Sequence, residues 1–332
     1  CNGHYSCWCR LWSYILSIFA RNQRHESKNC PFCRDKHTKK NGRKLGKQQY
    51  QCLSCKRQFL GGTRLNNQTL WTEYTQGKQT YKQLADKYNC SLKTIQRRLD
   101  KISIEYQIKR PKTANIIMDT TYFGRKFGLM VFMDNTTRTV LYYAIVSHET
   151  NSAYKQGVDH LASLGIDIQS ITCDGRRGLR TLFTSIPCQM CQFHQIQIVT
   201  RYLTRRPKNS ASIELRRLTL EITKLDKATF TKYLDHWYLT HEGYLSERST
   251  NEDTGKTWYT HKRLRSAYRS LRTNSDWLFT YQEYEHLDIP NTTNSLEGLF
   301  SELKRQLHSH HGLNEHRKLR FIKDFLGSKS LK

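Results

Sequence analysis

The sequence predicts an α/β core preceded by two small modules, and three observations predict it. Four cysteines stand in two Cys-x-x-Cys pairs, Cys30/Cys33 and Cys52/Cys55. Three short helical patterns follow between residues 68 and 103, two of them opened by a capping hydroxyl. From residue 114 onward, β-rich runs and helical stretches come in the order strand, strand, strand, helix, strand, strand, helix. That order puts the first and fourth strands side by side and is the order of a ribonuclease-H-like core. A chain of 332 residues has room for two or three such domains.

The first module spans residues 28–62. Eighteen residues separate Cys33 from Cys52, enough for a short hairpin that folds one Cys-x-x-Cys knuckle against the other. Four thiolates brought together in this way suit tetrahedral Zn²⁺, so Cys30, Cys33, Cys52 and Cys55 are expected zinc ligands in a zinc ribbon. Gln49-Tyr50-Gln51 reads as a strand, and Phe59 is placed to pack behind the second knuckle. Lys36, Lys39, Lys40, Arg43, Lys44, Lys47, Lys56 and Arg57 surround the ligands, as expected of a module that touches phosphate. Met118 is the first methionine, and residues 1–27 are therefore set apart as a stretch that need not belong to the working protein.

The second module, residues 66–110, reads as a helix-turn-helix. Leu70, Trp71 and Tyr74 mark its first helix, which Gly77 stops. Thr80 caps a second helix carrying Tyr81, Leu84, Ala85 and Tyr88, and Asn89-Cys90 makes the turn. Ser91 caps the third helix, with Leu92, Ile95 and Leu99 expected inward. Lys93, Gln96, Arg97 and Arg98 are expected outward, as DNA-binding groups on a recognition helix.

Charge narrows the class of partner. Residues 21–117 hold 23 Lys/Arg against 6 Asp/Glu, so they supply +17 of the formal net charge of +27. Such an excess goes beyond solubility and points to a polyanionic partner, nucleic acid before a membrane surface; with the helix-turn-helix reading, that partner is expected to be double-stranded DNA. No apolar run approaches the length of a membrane span, and no lipidation site accompanies a basic helix. Paired Cys-x-x-Cys spacing argues against a secreted disulfide scaffold.

In the core, residues 114–118, 128–133 and 139–146 read as the first three strands. A helix over 151–164, strands over 168–173 and 186–192, and a helix over 194–203 follow. The core's first part is expected over 112–204, a helical insertion over 205–288, and the final helix within 289–326. Asp119 closes the run Ile116-Ile117-Met118, and Asp174 closes Ile171-Thr172-Cys173. Glu297 lies in the first turns of the last helix, beside Gly298, which is expected to permit close backbone approach. Three such carboxylates converging would hold Mg²⁺ (or Mn²⁺) and break or join phosphodiesters. Asp134 and Glu302 are the rivals to Asp119 and Glu297. Arg176 and Arg177 are placed to meet the scissile phosphate, while Cys191 and His194 shape the edge of the site. Cys188, Cys191 and His194 make a poorer second zinc site, with only three ligands.

Asp119, Asp174, Cys191-x-x-His194 and Glu297, at separations of 55 and 123 residues from acid to acid, resemble the signature of Mutator-like DDE transposases of bacterial insertion sequences. The stretches from Trp258 to Ala267 and from Thr292 to Gly298 resemble a branch carrying an N-terminal zinc ribbon and helix-turn-helix. The resemblance implies an enzyme that binds terminal inverted repeats, cleaves the transposon ends and joins the 3′-hydroxyl to target DNA. It also implies a homodimer or higher assembly on DNA, in the bacterial cytoplasm at the nucleoid. The alternative is a catalytically inactive zinc-ribbon/helix-turn-helix DNA-binding protein derived from a transposase.

Overall fold

Three short antiparallel strands carry the cysteines: β1 (Thr38–Lys44), β2 (Lys47–Cys52) and β3 (Gln58–Leu60), in the order β1-β2-β3. The computed structural model describes residues 29–44, 47–60, 65–102, 110–310 and 313–330, so the reading of residues 1–27 lies outside them. The chain divides into two units at Ile102/Ser103. Within the first unit, β1 slips register between Lys40 and Arg43, where Gly42 adopts φ of 70°, a left-handed conformation that glycine takes without penalty. Tyr50 and Phe59 stack across the sheet with centroids 5.8 Å apart.

The same unit contains helices α1 (Asn67–Thr75), α2 (Tyr81–Lys87) and α3 (Leu92–Asp100). Each begins at a side-chain cap, Asn66, Thr80 and Ser91 respectively, and Thr80 forms a reciprocal capping box with Gln83. Leu70, Trp71, Tyr74, Leu84, Ala85, Ile95 and Leu99 are buried together. Gly77 lies just past the Gln76 C-cap of the first helix, where a side chain does not fit: a Cβ there would lie 2.6 Å from the Glu73 carbonyl oxygen. Leu92 departs from expectation. It is 49% exposed, because the first residue after the Ser91 cap projects away from the helix contacts that bury Ile95 and Leu99.

The second unit is built on a mixed sheet of β4 (Thr113–Phe123), β5 (Phe127–Asp134), β6 (Val140–Val146), β7 (Asp167–Cys173) and β8 (Cys188–Met190), in the order β6-β5-β4-β7-β8. β4–β5 and β5–β6 pair antiparallel, whereas β4–β7 and β7–β8 pair parallel, so the first and fourth strands are neighbours. Every residue of β5 is buried, which requires cover on both faces. Helix α4 (Asn151–Ser163) packs Tyr154, Val158 and Leu161 onto Met118, Met130 and Phe132. Gly157 lets it come this close, since a Cβ there would meet the Phe132 ring at 2.1 Å. On the other face, Asn115 Nδ2 donates to the Leu287 carbonyl at 2.6 Å and Thr172 Oγ1 to the Pro290 carbonyl at 2.8 Å.

Helix α5 (Gln192–Leu203) is followed by α6 (Ser210–Leu220), α7 (Lys227–Ser246), α8 (Lys262–Leu278) and the single turn α9 (Thr280–Glu283). A two-stranded hairpin, β9 (Arg248–Thr250) with β10 (Thr257–Tyr259), interrupts the stretch expected to be helical. The end of the chain holds two helices rather than one, α10 (Asn294–Ser309) and α11 (Glu315–Ser328). Among the described residues, no helix is long and apolar enough to cross a membrane.

Candidate active site

Asp119 does not close its strand. β4 runs four residues further to Phe123, because its antiparallel partner β5 continues pairing as far as Phe123 with Phe127. What ends near Asp119 is the parallel pairing with β7, whose last pair is Ile117 with Thr172. Continued by two residues, that register sets Asp119 against Asp174, both on the face that carries Ile117 and Thr172. Asp174 lies just beyond β7, where Gly175 follows tightly against Met190: a Cβ on Gly175 would come within 2.2 Å of the Met190 methyl.

Each aspartate has one oxygen held by backbone. Asp119 Oδ1 accepts from the Thr120 amide at 2.7 Å, and Asp174 Oδ1 from the Arg176 amide at 3.1 Å. Glu297, on the first turn of α10, reaches His194 Nε2 at 3.7 Å. His194 sits on the first turn of α5, three residues after Cys191, whose sulfur accepts from both the amide and the hydroxyl of Thr293 at 3.3 and 3.4 Å. Cys191 therefore ties the start of α5 to the start of α10, and Thr293 spends its hydroxyl on that sulfur rather than on a helix cap. Gly298 does not serve the close approach expected of it, since a Cβ there would meet nothing within 4 Å.

The electrostatics couple these groups. Burial pushes the Asp119 carboxyl up to about 7; the His194 charge pulls against that rise, while Asp174 and Glu149 add to it. Burial would lower His194, but the Cys191 thiol and the charges of Asp119 and Asp174 outweigh it and hold the imidazole up at about 9. Cys191 is lowered in spite of burial, because His194 stands beside it.

Glu149 is the residue that sequence reasoning missed. It precedes α4, Oε1 accepts from the Tyr154 hydroxyl at 2.8 Å, and Oε2 faces Arg176 Nη1 at 3.6 Å. Tyr154 in turn bonds Thr120 Oγ1 at 2.9 Å. One carboxylate is thus linked to the residue after Asp119 and to the arginine two beyond Asp174. Arg176 is held rather than free: Nε donates to Asn151 Oδ1 and Nη2 to the Glu149 carbonyl, both at 2.7 Å. Arg177 is exposed, with its carbonyl taken by Asn151 Nδ2 at 3.0 Å. Only the pair Glu149-Thr150 ahead of a helical pattern marks this cluster in sequence, and it reads as a helix cap.

The rivals lie elsewhere. Asp134 pairs with Ile116, whereas Asp119 pairs with Val131, so they occupy different levels of the β4–β5 ladder. Asp134 Oδ2 accepts from the Thr137 amide and hydroxyl at 2.9 and 2.7 Å, which is turn chemistry. Glu302 pairs with Lys329 at 3.0 Å. Cys188 turns toward Cys173 at 3.9 Å, away from the Thr293 contacts of Cys191.

In the first unit, Cys30, Cys33, Cys52 and Cys55 bring their sulfurs within 4.8 Å of one another, the one group of three or more such ligands among the described residues. Cys30–Cys55 and Cys33–Cys52 lie at 3.5 Å, near the roughly 3.8 Å edge of a tetrahedron with Zn–S bonds of about 2.3 Å. The two knuckles match: the amides of Cys30 and Cys52 bond the carbonyls of Asp35 and Arg57, and Arg34 and Lys56 both take φ near 60°. On α3, Lys93 and Arg97 are exposed and Gln96 is half-buried, while Arg98 reaches back to Asn67 Oδ1 at 3.4 Å.

No family model and no curated protein matches this sequence. Among solved structures, the chain is similar to the simian T-cell lymphotropic virus intasome in complex with PP2A regulatory subunit B56 gamma, at 14% identity over 61% of this chain and 68% of that one, with a TM-score of 0.20. It is similar also to the HTLV-2 integrase catalytic core domain in complex with magnesium. The dimeric form shows 17% identity, 47% and 99% coverage and a TM-score of 0.21. The trimeric form shows 16%, 44%, 94% and 0.20. Overlaps this small assign no function to the chain.

Proposed function

We propose that this chain is a DDE-type transposase of the Mutator-like kind, with a ribonuclease-H-like core, that cleaves and joins DNA. The observation that supports the reading is that Asp119 and Asp174 come from neighbouring parallel strands, and that His194, whose imidazole their charges help hold up, lies 3.7 Å from Glu297. Carboxylate oxygens are the ligands that Mg²⁺ or Mn²⁺ takes, so these three acids would hold such ions once drawn together on them, and the sulfur tetrahedron of the first unit fits Zn²⁺. When bound, the divalent ions supply Lewis acidity toward phosphate oxygens and the attacking hydroxyl.

The chain's own residues do the positioning. Asp119 and Asp174 are each fixed by a backbone amide at one oxygen, leaving the other for a cation. His194 orients Glu297, Cys191 locks α5 to α10, and Glu149 steadies both aspartate-bearing segments through Tyr154 and Arg176. Lys93, Gln96, Arg97 and Arg98 would recognise the element ends, with Arg97 the freest of the arginines. The test uses the inverted repeats flanking the encoding gene as substrate. With Mg²⁺, the purified protein should nick at the repeat's 3′ end and join that end to a second duplex. Specific repeat binding without any strand cleavage would favour the inactive DNA-binding alternative.

A further inference from the structure

We propose that the groove between α5 and α6, together with the basic hollow at its far end, holds the phosphate backbone of duplex DNA next to the reacting strand. This is a second DNA-contact surface, separate from the N-terminal unit, and it rests on the reading that the carboxylate site acts on DNA. The groove has a volume of about 690 Å³ and is lined by Phe193, Gln197, Arg201, Arg205 and Arg216, among others. An adjoining hollow of about 590 Å³ is lined by Arg206, Lys208, Lys262 and Arg263. Among the described residues, neither lining includes an Asp or Glu. Glu247 enters only as the partner of His261, at 2.8 Å.

The groove leads away from the active site. Phe193, Gln197 and Arg201 recur every four residues and are all exposed, so they mark one face of α5, beginning beside His194. From His194 to Thr204 the helix rises about 15 Å at 1.5 Å per residue. A DNA strand spaces its phosphates about 3.4 Å apart along the axis, so the hollow lies about four nucleotides from the site. Arg263 Nη2 donates to the Arg201 carbonyl at 2.6 Å, which joins the cations of α8 to those that follow α5. The Nε of Arg216 is buried without a hydrogen-bond partner. Like charges assembled this closely repel one another unless a polyanion lies across them.

The test is the salt dependence of binding of a random-sequence duplex to the full chain. Arg205→Ala/Arg206→Ala/Lys208→Ala removes three exposed cations from the groove's end. Lys155→Ala/Lys224→Ala/Lys232→Ala removes the same charge from exposed positions outside it. The slope of log affinity against log salt should shrink by about 2–3 in the first variant, near 0.9 per lost phosphate contact, and stay at the wild-type value in the second. An unchanged slope in the first variant, or an equal loss in the second, overturns the proposal. Cleavage is scored separately on wild-type protein. A shrunken slope in a protein that never cuts would sink the enzymatic reading alone, and an unchanged slope in a protein that does cut would sink the groove alone.

Discussion

Replacing Glu149 by alanine should slow strand cleavage about 10- to 100-fold while leaving affinity for the repeat nearly unchanged. Its carboxylate accepts from Tyr154 at 2.8 Å, faces Arg176 at 3.6 Å and is only 18% exposed. Removal leaves a buried tyrosine hydroxyl with Thr120 as its remaining bonded neighbour, and leaves Arg176 with Asn151 and a carbonyl. A hydrogen bond to a charged group contributes about 1.5–3 kcal/mol. If that loss falls on the placement of Asp119 and Asp174, at about 1.4 kcal/mol per tenfold it gives the stated range. Glu149→Gln keeps an acceptor for Tyr154 but not the charge facing Arg176, and should lie within about tenfold of wild type, half-way on the same scale. Single-turnover cleavage with Mg²⁺, paired with repeat binding, reads both effects. A wild-type rate in the alanine variant would refute the positioning role. Complete loss in both variants would do so too, since it would make Glu149 a cation ligand.

Cys52→Ser should release zinc, unfold the ribbon and weaken DNA binding while the second unit keeps its fold; elemental analysis finding no zinc in fresh wild-type protein contradicts this. Arg97→Ala/Arg98→Ala should erode preference for the element's end over random DNA by about 1–3 kcal/mol, measured by competition binding. A fall in affinity with the preference intact would make them phosphate contacts. Gly157→Ala should cost about 1–3 kcal/mol by forcing a methyl into the Phe132 ring, read as a lowered unfolding midpoint in denaturant.

Much of the fold could be read because its signals are local. The knuckles, the Thr80 and Ser91 caps and the apolar runs of β5 and β7 depend on neighbours a few residues away. Where a tertiary partner decides, the sequence misled. Thr120 to Phe123 look polar and turn-like, yet pairing with β5 keeps them extended. Leu92 looks like a core residue but follows a cap and faces outward. Thr292-Thr293 looks like a capping pair, but a cysteine a hundred residues earlier claims the Thr293 hydroxyl. Glu149 was invisible for the same reason, because its partners Tyr154 and Arg176 meet it only once α4 lies across the sheet. That β4 and β7 are neighbours followed from element order, whereas their register, with its slip between Ala114 and Asn115, did not.

Magnesium-dependent strand transfer by Asp119→Asn, set beside Asp134→Asn, tests the central claim most directly. The β4–β7 register, continued two residues past Ile117 and Thr172, sets Asp119 against Asp174, whereas Asp134 is spent on the turn at Thr137. Asp119→Asn should bind the repeat normally and neither cut nor join it, and Asp134→Asn, once shown to fold, should do both. An active Asp119→Asn protein, or a folded Asp134→Asn protein that is dead, would contradict the assignment of the catalytic carboxylates.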